Sequence, residues 1–361
     1  MKLRILRIDR YIIKQFLGTF FGAISLILAV SVIFDINEKI DKFLNPDLSI
    51  YEIIFHYYVH FVPYYANMFA PLFVFISVIF FTTKLAQHSE IIAMLSGGIS
   101  FRRLLKPYLF SASVIAICTL LLNSFVVPPG NKIRNEFYSK YIKEKRKTYA
   151  EAVQLELAPE EYLYIRYFGA DTQRGYDLSL DHFNKGTLKS RLTAKSVTYK
   201  EGYKWGIEDY TITHYQGNTA SVRRGNQLDT IIAITPTEFL ATAIEAENLT
   251  SPELFNSIHQ QKNRGASNVK YFEIELHRRL AAFFAAFILT VIGLSLSSRK
   301  TRGGMGLSLA LGIALSFAYI IFMSISSTFA VSGAMPSWLA AQLPNIVYAV
   351  IAFILYLKAP R

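Results

Sequence analysis

Cysteine is nearly absent from this chain of 361 residues, which contains one thiol, that of Cys118. A single cysteine cannot form a disulfide bond within the chain, and it cannot supply a cluster of thiolate ligands for a metal. Cys118 lies inside a long apolar stretch, so we expect it to be a packed small side chain. The thiol content therefore predicts neither a redox nor a metal function.

Charged residues are also scarce, and acidic residues are the scarcer kind. They make up 18% of the chain, with 26 acids against 38 lysines and arginines, while 52% of the residues are hydrophobic. Soluble domains carry about 25% charged residues. The net charge of +12 would suit nucleic acid, but the basic residues stand mostly beside apolar runs. A membrane with anionic lipid explains them better, and no nucleic-acid partner is expected.

The signatures of common enzymes are missing. The chain has no G-x-x-x-x-G-K-[ST] sequence for nucleotide phosphates and no G-x-S-x-G sequence for a nucleophilic serine. His56 and His60 have the i, i+4 spacing of metal ligands, but no acidic or cysteine partner accompanies them. The sequence thus predicts a protein that is not an enzyme and that needs no cofactor or metal.

Long apolar runs are what the chain has in abundance. Each of six runs is long enough to cross a hydrocarbon core of about 30 Å as a helix. The first run exceeds the apolar part of a signal peptide, and we interpret it as a retained span. The runs form two sets of three, at about 11–34, 53–82, 104–127, 272–296, 306–328 and 338–357.

Basic residues in alternate loops give the expected orientation. Short loops that are rich in lysine and arginine lie on the cytoplasmic side of a membrane. We therefore expect both termini in the cytoplasm and the long polar middle outside it. The residues concerned are Lys2, Arg4, Arg7 and Arg10, then Lys84, Arg102, Arg103 and Lys106, then Arg299, Lys300 and Arg302, and finally Lys358 and Arg361.

The polar middle, 128–268, changes to the period of β-strands. "YDLSLDHF" alternates apolar and polar residues, and the turn groups NKG, EG, QGN and RGN follow. Such spacing predicts an antiparallel sandwich, a jelly roll or an open barrel-like fold. A helix should end the domain, with Ser251 as its N-cap and Gly265 as its stop. The expected domains are 1–127, 128–268 and 269–361.

Cations recur at one expected depth, near the outer ends of the spans. Arginine and lysine there can extend to lipid phosphates, or they can face a cavity and hold a phosphorylated amphiphile. The acids Asp35, Glu38 and Asp41 alternate with the first of them. The candidate substrate-binding residues are Lys39, Lys42, Lys132, Arg134, Arg278 and Arg279.

The segment "SEIIAMLSGGISFRR", from Ser89 to Arg103, separates the second run from the third. Ser89 can cap a helix over about 89–98, and an acid at position 90 suits the helix N-terminus. The helix could rest on the membrane surface or dock into a groove of a cytoplasmic partner. The candidate contact residues are Glu90, Ile91, Met94, Leu95 and Gly97.

Three segments resemble the LptF/LptG (YjgP/YjgQ) family of lipopolysaccharide export permeases. "SEIIAMLSGGISFRRLLKP" is similar to the family's S-E-x-x-x-x-x-x-x-G-x-S segment, with Pro107 as the proline that follows. "ELHRRLAAFFAAFILTVIGLSLSSRKTRGGMGLSLALGIALSFAY" resembles the region of the fourth and fifth spans. "SGAMPSWLAAQLPNIVY" resembles the final loop and span.

The resemblance implies a half-transporter in a bacterial inner membrane, with six membrane helices (3+3) and an inserted periplasmic β-jelly-roll-like domain. Two permeases, of the same or different sequence, would pair above a cytoplasmic ABC ATPase dimer that binds the ATP. Lipopolysaccharide would pass to a periplasmic bridge of jelly rolls. The segment at 89–98 would be the coupling helix, with Glu90 meeting the ATPase, and the six cations would bind lipid A phosphates or core sugars.

Two other functions remain compatible with the residues alone. One is a mechanotransmission subunit that moves an outer domain without passing substrate. The other is a scaffold that presents a β domain to partners in the cell envelope.

Overall fold

A computed structural model describes residues 6–142, 149–217, 219–236, 243–263, 269–298, 304–331 and 334–359. The chain forms two compact units, one of Met1–Ile142 with Ile274–Arg361 and one of Lys143–Glu273. The boundaries expected from the sequence were 127/128 and 268/269. Several residues used in the predictions lie outside the described ranges, namely Lys2, Arg4, Gly265, Arg299, Lys300, Arg302 and Arg361.

The described residues contain nine helices, of which six are long and apolar enough to cross a membrane. This confirms the prediction of six spans around an inserted domain. A short helix separates the second span from the third, and two more precede the fourth. The helices are α1 (Arg7–Phe43), α2 (Ile50–Gln87), α3 (Glu90–Ser96), α4 (Phe101–Ile142), α5 (Ala243–Asn248), α6 (Ser251–Asn263), α7 (Val269–Ser297), α8 (Gly304–Val331) and α9 (Ser337–Leu357).

Helix α2 lies at the centre of the membrane unit. Gly293 of α7 faces Val78 so closely that an added Cβ would lie 2.9 Å from its Cγ1, and Gly312 of α8 faces Ile79 in the same way. Lipid is as apolar as a leucine side chain, so membrane helices associate through close packing at small residues. These two glycines therefore let α7 and α8 approach α2.

Cys118 is exposed on α4, so the prediction that it packs inside the unit is wrong. The buried stripe of α4 passes through Tyr108, Ala112 and Ile115. Cys118 falls outside this stripe and faces away from the protein core. In a membrane helix an apolar neighbourhood in sequence includes the lipid-facing side, which explains the error.

The second unit contains one antiparallel sheet of six strands among the described residues, and each strand pairs with the next along the chain. This confirms the expected all-β domain, and "YDLSLDHF" lies in its third strand. The strands are β1 (Tyr149–Ala158), β2 (Glu161–Gly169), β3 (Arg174–Asn184), β4 (Thr187–Tyr199), β5 (Lys204–Gln216) and β6 (Thr219–Ile231).

A crease runs across this sheet. Cross-strand pairing skips one residue at the same level in each of the six strands: Ala152, Arg166, Asp177, Lys195, Asp209 and Asn226. The skipped residues of neighbouring strands stand opposite each other, so the pairing register is the same on both sides of the crease. The crease therefore interrupts the pairing along one line across the whole sheet.

The crease shifts the alternation of buried and exposed residues along each strand. Ala194 and Val197 of β4 are both buried, and so are Ile207 and Tyr210 of β5. Residues three apart would normally point to opposite faces of a strand. The skipped residue between each pair shifts the alternation by one, so both halves of the strand keep an apolar inner face.

The return segment covers part of this face. Trp205 is fully buried, and its indole N–H donates to the carbonyl oxygen of Ile234 at 3.2 Å. Helix α6 buries Leu254 and Ile258. Its N-cap is Thr250 and not Ser251 as predicted, because the Thr250 backbone N–H and hydroxyl both donate to Glu253.

Candidate functional site

Glu90 is the first residue of α3, and its side chain is held by α1. The hydroxyl of Tyr11 donates to its Oε2 at 3.3 Å, and the Nδ1 atom of His88 lies 3.9 Å from its Oε1. Ser89 has a φ of 61° and makes no side-chain cap bond. Ser89 therefore occupies the predicted N-cap position, but the expected capping bond from its hydroxyl is not formed. The carboxylate remains partly exposed.

The apolar stripe of α3 faces the core of the chain itself. Ile91 is fully buried in the cluster that joins α1, α2 and α4, and Met94 and Leu95 pack against that cluster. Ile91 therefore has no accessible surface for a partner in this arrangement, and its place among the docking residues stays a prediction. The exposed face consists of Ile92, 51% of whose surface is accessible, together with Ala93, Ser96 and Gly97.

An ion pair anchors the segment that follows α3. Arg103 donates from Nη1 to Asp9 Oδ1 at 2.8 Å and from Nη2 to Asp9 Oδ2 at 2.6 Å. Ser100 caps α4 by accepting from the Arg103 backbone N–H at 3.3 Å. Paired donors of an arginine fix the direction as well as the distance of a carboxylate. The start of α4 is thus tied to the start of α1.

The first candidate substrate cation lies at the other end of α1. Lys39 is 28 residues beyond Tyr11, or about 40 Å at 1.5 Å per residue. Its ammonium pairs with Asp35 and lies 5.4 Å from the centre of the Tyr57 ring. Both side chains of the pair are nearly buried, so Lys39 already has a counter-charge.

Three further cations belong to the same end of the membrane unit. Arg134 of α4 stacks on Tyr64 of α2, with 3.9 Å between the guanidinium carbon and the ring centre. Lys42 and Lys132 are exposed. An aromatic and aliphatic cluster that includes Tyr57, Phe61 and Phe137 joins the ends of α1, α2 and α4. The structure therefore gathers Lys39, Lys42, Lys132 and Arg134 around one helix junction.

The two arginines of α7 differ from each other. The side chain of Arg279 is 1% exposed, and its Nε donates to Glu275 Oε1 at 2.8 Å. Arg278 is partly exposed and donates to the other oxygen of Glu275. Arg279 therefore presents no accessible charge in this arrangement. A buried arginine needs a counter-charge, which the carboxylate one turn before it supplies, and the part of Arg279 in substrate binding stays a prediction.

His60 has a packing partner. A Cβ added to Gly130 would lie 2.9 Å from His60 Nδ1, so the imidazole fills the space beside that glycine. Among the described residues no three histidines, cysteines or acids gather closely enough to hold a metal ion.

Comparison with known proteins identifies the family of the chain. A search of the curated proteins gave no match. A family model described as lipopolysaccharide export system permease LptF/LptG matches residues 10–358. That range contains the β domain, the candidate contact and substrate-binding residues, and the six membrane helices apart from the first three residues of α1. The chain therefore belongs to the LptF/LptG family of lipopolysaccharide export permeases.

Proposed function

We propose that this chain is the permease subunit of an ABC transporter that extracts lipopolysaccharide from a bacterial inner membrane. A separate cytoplasmic ATPase dimer would bind and hydrolyse ATP beneath two such permeases. Both termini would lie in the cytoplasm and the β domain in the periplasm, where it would pass the lipid to a bridge of jelly rolls.

The observation that carries this proposal is the arrangement of α3. A short helix bears a partly exposed acid and an exposed Ile92 on one side, while Ile91 fixes its other side in the core. Tyr11 and the Asp9–Arg103 pair tie the same segment to α1. A partner that displaces α3 would therefore displace the membrane helices as well, because these contacts join α3 and the start of α4 directly to α1.

The β domain supports a lipid path. One row of the sheet, in register across four strands, carries Leu163, Leu180, Leu192 and Ile212 on the inner face. Leu163 is buried, whereas the other three are partly exposed. Fatty acyl chains would gain hydrophobic free energy of about 25 cal/mol per Å² by covering such a row.

The replacement Glu90→Lys tests the proposal. We expect the variant to lose co-purification with the ATPase and ATP-dependent release of lipopolysaccharide from proteoliposomes, because a lysine cannot accept from a basic partner. Lys84, exposed near the end of α2, supplies a control in Lys84→Gln, which should keep both activities. Unchanged ATPase binding and release in Glu90→Lys would contradict the coupling function.

A further inference from the structure

Asp35 is a buried carboxylate in a helix that crosses the membrane unit. Its Oδ1 accepts from the Tyr57 hydroxyl at 3.2 Å, and its Oδ2 accepts from the Tyr58 hydroxyl at 3.0 Å. Lys39, one helical turn further along α1, pairs with Oδ1. Three donors from two helices therefore surround this one acid.

The hydroxyls give Asp35 support that does not depend on Lys39. A buried carboxylate that loses its counter-ion is normally very costly, because the charge is left without solvation. Here each carboxylate oxygen keeps one hydroxyl donor after the ammonium leaves. The geometry thus permits Lys39 to exchange partners without leaving Asp35 unsolvated.

The pair also keeps Lys39 from the surface. Its side chain is 11% exposed, whereas Lys42, three residues further along the helix, is exposed. An anionic lipid that reaches this junction would meet Lys42 directly, but it would have to compete with Asp35 for Lys39. The competition favours a ligand with a dense negative charge, since a phosphate attracts an ammonium more strongly than a neutral sugar or an ester does.

We propose that Asp35 is a positioning residue that masks Lys39, and that only a phosphate-bearing lipid draws the ammonium from the carboxylate. Tyr57 and Tyr58 would hold the carboxylate during the exchange. The inference rests on the proposed function, because it takes Lys39 as a ligand of the substrate phosphate. It adds a reason why this junction would select a phosphorylated amphiphile over ordinary neutral lipid.

The replacement Asp35→Asn should unmask Lys39. With a photocrosslinking amino acid at Ile40, a partly exposed neighbour, we expect capture of purified lipopolysaccharide without nucleotide to rise about tenfold, the scale of one hydrogen bond to a charge. Capture of dephosphorylated lipopolysaccharide should rise much less. Glu38→Gln is the matched control, because Glu38 is exposed on the same helix and the net charge changes equally.

The double replacement of Tyr57 and Tyr58 by phenylalanine should act in the opposite direction. Without the hydroxyls, the carboxylate depends on Lys39 alone, and capture should fall below that of the unmodified chain. A purely structural role of Asp35 would lower capture in both variants. Opposite signs in the two variants therefore support masking, and lowered capture in both would contradict it.

Lys39→Gln separates the two hypotheses. If Lys39→Gln lowers capture but Asp35→Asn leaves it unchanged, or if Glu38→Gln raises it as much, masking is wrong and the proposed substrate site stands. If Lys39→Gln captures lipopolysaccharide as well as the unmodified chain, Lys39 is not a ligand, and both hypotheses about this residue fail.

Discussion

Arg103 and Asp9 form a two-point ion pair between residues 94 positions apart, with N···O distances of 2.8 and 2.6 Å. The pair joins the beginnings of two membrane helices on the side where α3 lies. Because Arg103 follows α3 after only six residues, any displacement of α3 acts on α1 through this contact.

Replacements of Asp9 and Arg103, singly and together, test that contact. Asp9→Asn should lower the stability of the solubilised protein by about 1 to 3 kcal/mol, between the values for exposed and fully buried ion pairs. It should also reduce lipopolysaccharide release per ATP hydrolysed. Combining Asp9→Arg with Arg103→Asp should restore part of both, and thermal unfolding with a release assay measures them. Equal loss in the single and exchanged chains would argue against a specific pair.

Two adjacent isoleucines of α3 should behave differently. Ile91→Ala removes a fully buried side chain and should cost about 2 to 4 kcal/mol of stability, measured by thermal unfolding in detergent. Ile92→Ala changes an exposed side chain, so its stability should change by no more than about 0.5 kcal/mol. We expect Ile92→Ala instead to weaken co-purification with the ATPase. The interpretation of the two faces fails if both replacements destabilise the protein equally.

Gly293→Ala should loosen the contact of α7 with α2. An alanine normally stabilises a helix interior by about 1 kcal/mol relative to glycine, but here its Cβ would lie 2.9 Å from Val78 Cγ1 and 3.1 Å from Val78 Cβ. Overpacking should cost about 1 to 3 kcal/mol. Gly22→Ala of α1, where an added Cβ meets open space, is the control and should be neutral or stabilising. A stability gain in both would mean that the close approach does not matter.

Asp209 tests the crease. Its φ is 51°, a region that β-branched residues adopt only with strain. We expect Asp209→Val to lower the stability of the β domain by about 1 to 3 kcal/mol, with Asp209→Gly close to the unmodified chain. Limited proteolysis of the full-length protein measures the difference. Similar protease resistance in both variants would show that the backbone at this position carries no strain.

Some of this molecule follows directly from its sequence. The six spans were predicted because each is a long apolar run. In lipid the backbone N–H and C=O groups of such a run must bond to each other, which leaves the chain few alternatives to a helix. The all-β domain was predicted from turn groups and alternation. The ion pairs of Asp35 with Lys39 and of Glu275 with Arg279 are i, i+4 pairs, a spacing that would have shown them in advance.

Other features depend on contacts that no local pattern contains. Tyr11 meets Glu90, and Asp9 meets Arg103, only because α1 packs beside α4. The direction of the α3 stripe was uncertain because a lipid surface, a partner and the core of the chain all select the same apolar residues. The crease also could not be predicted from the alternation of apolar and polar residues, because a period of two does not continue across a skipped residue.

The crease limits where insertions and deletions can occur in this domain during evolution. Losing or gaining one residue within a strand half would exchange its inner and outer faces and expose an apolar row that is now inside. Six strands share the same line, so a compensating change in an inner strand would disturb its pairing with both neighbours. Insertions and deletions should therefore accumulate in the hairpin turns, while the distance from each turn to the crease stays constant among related chains.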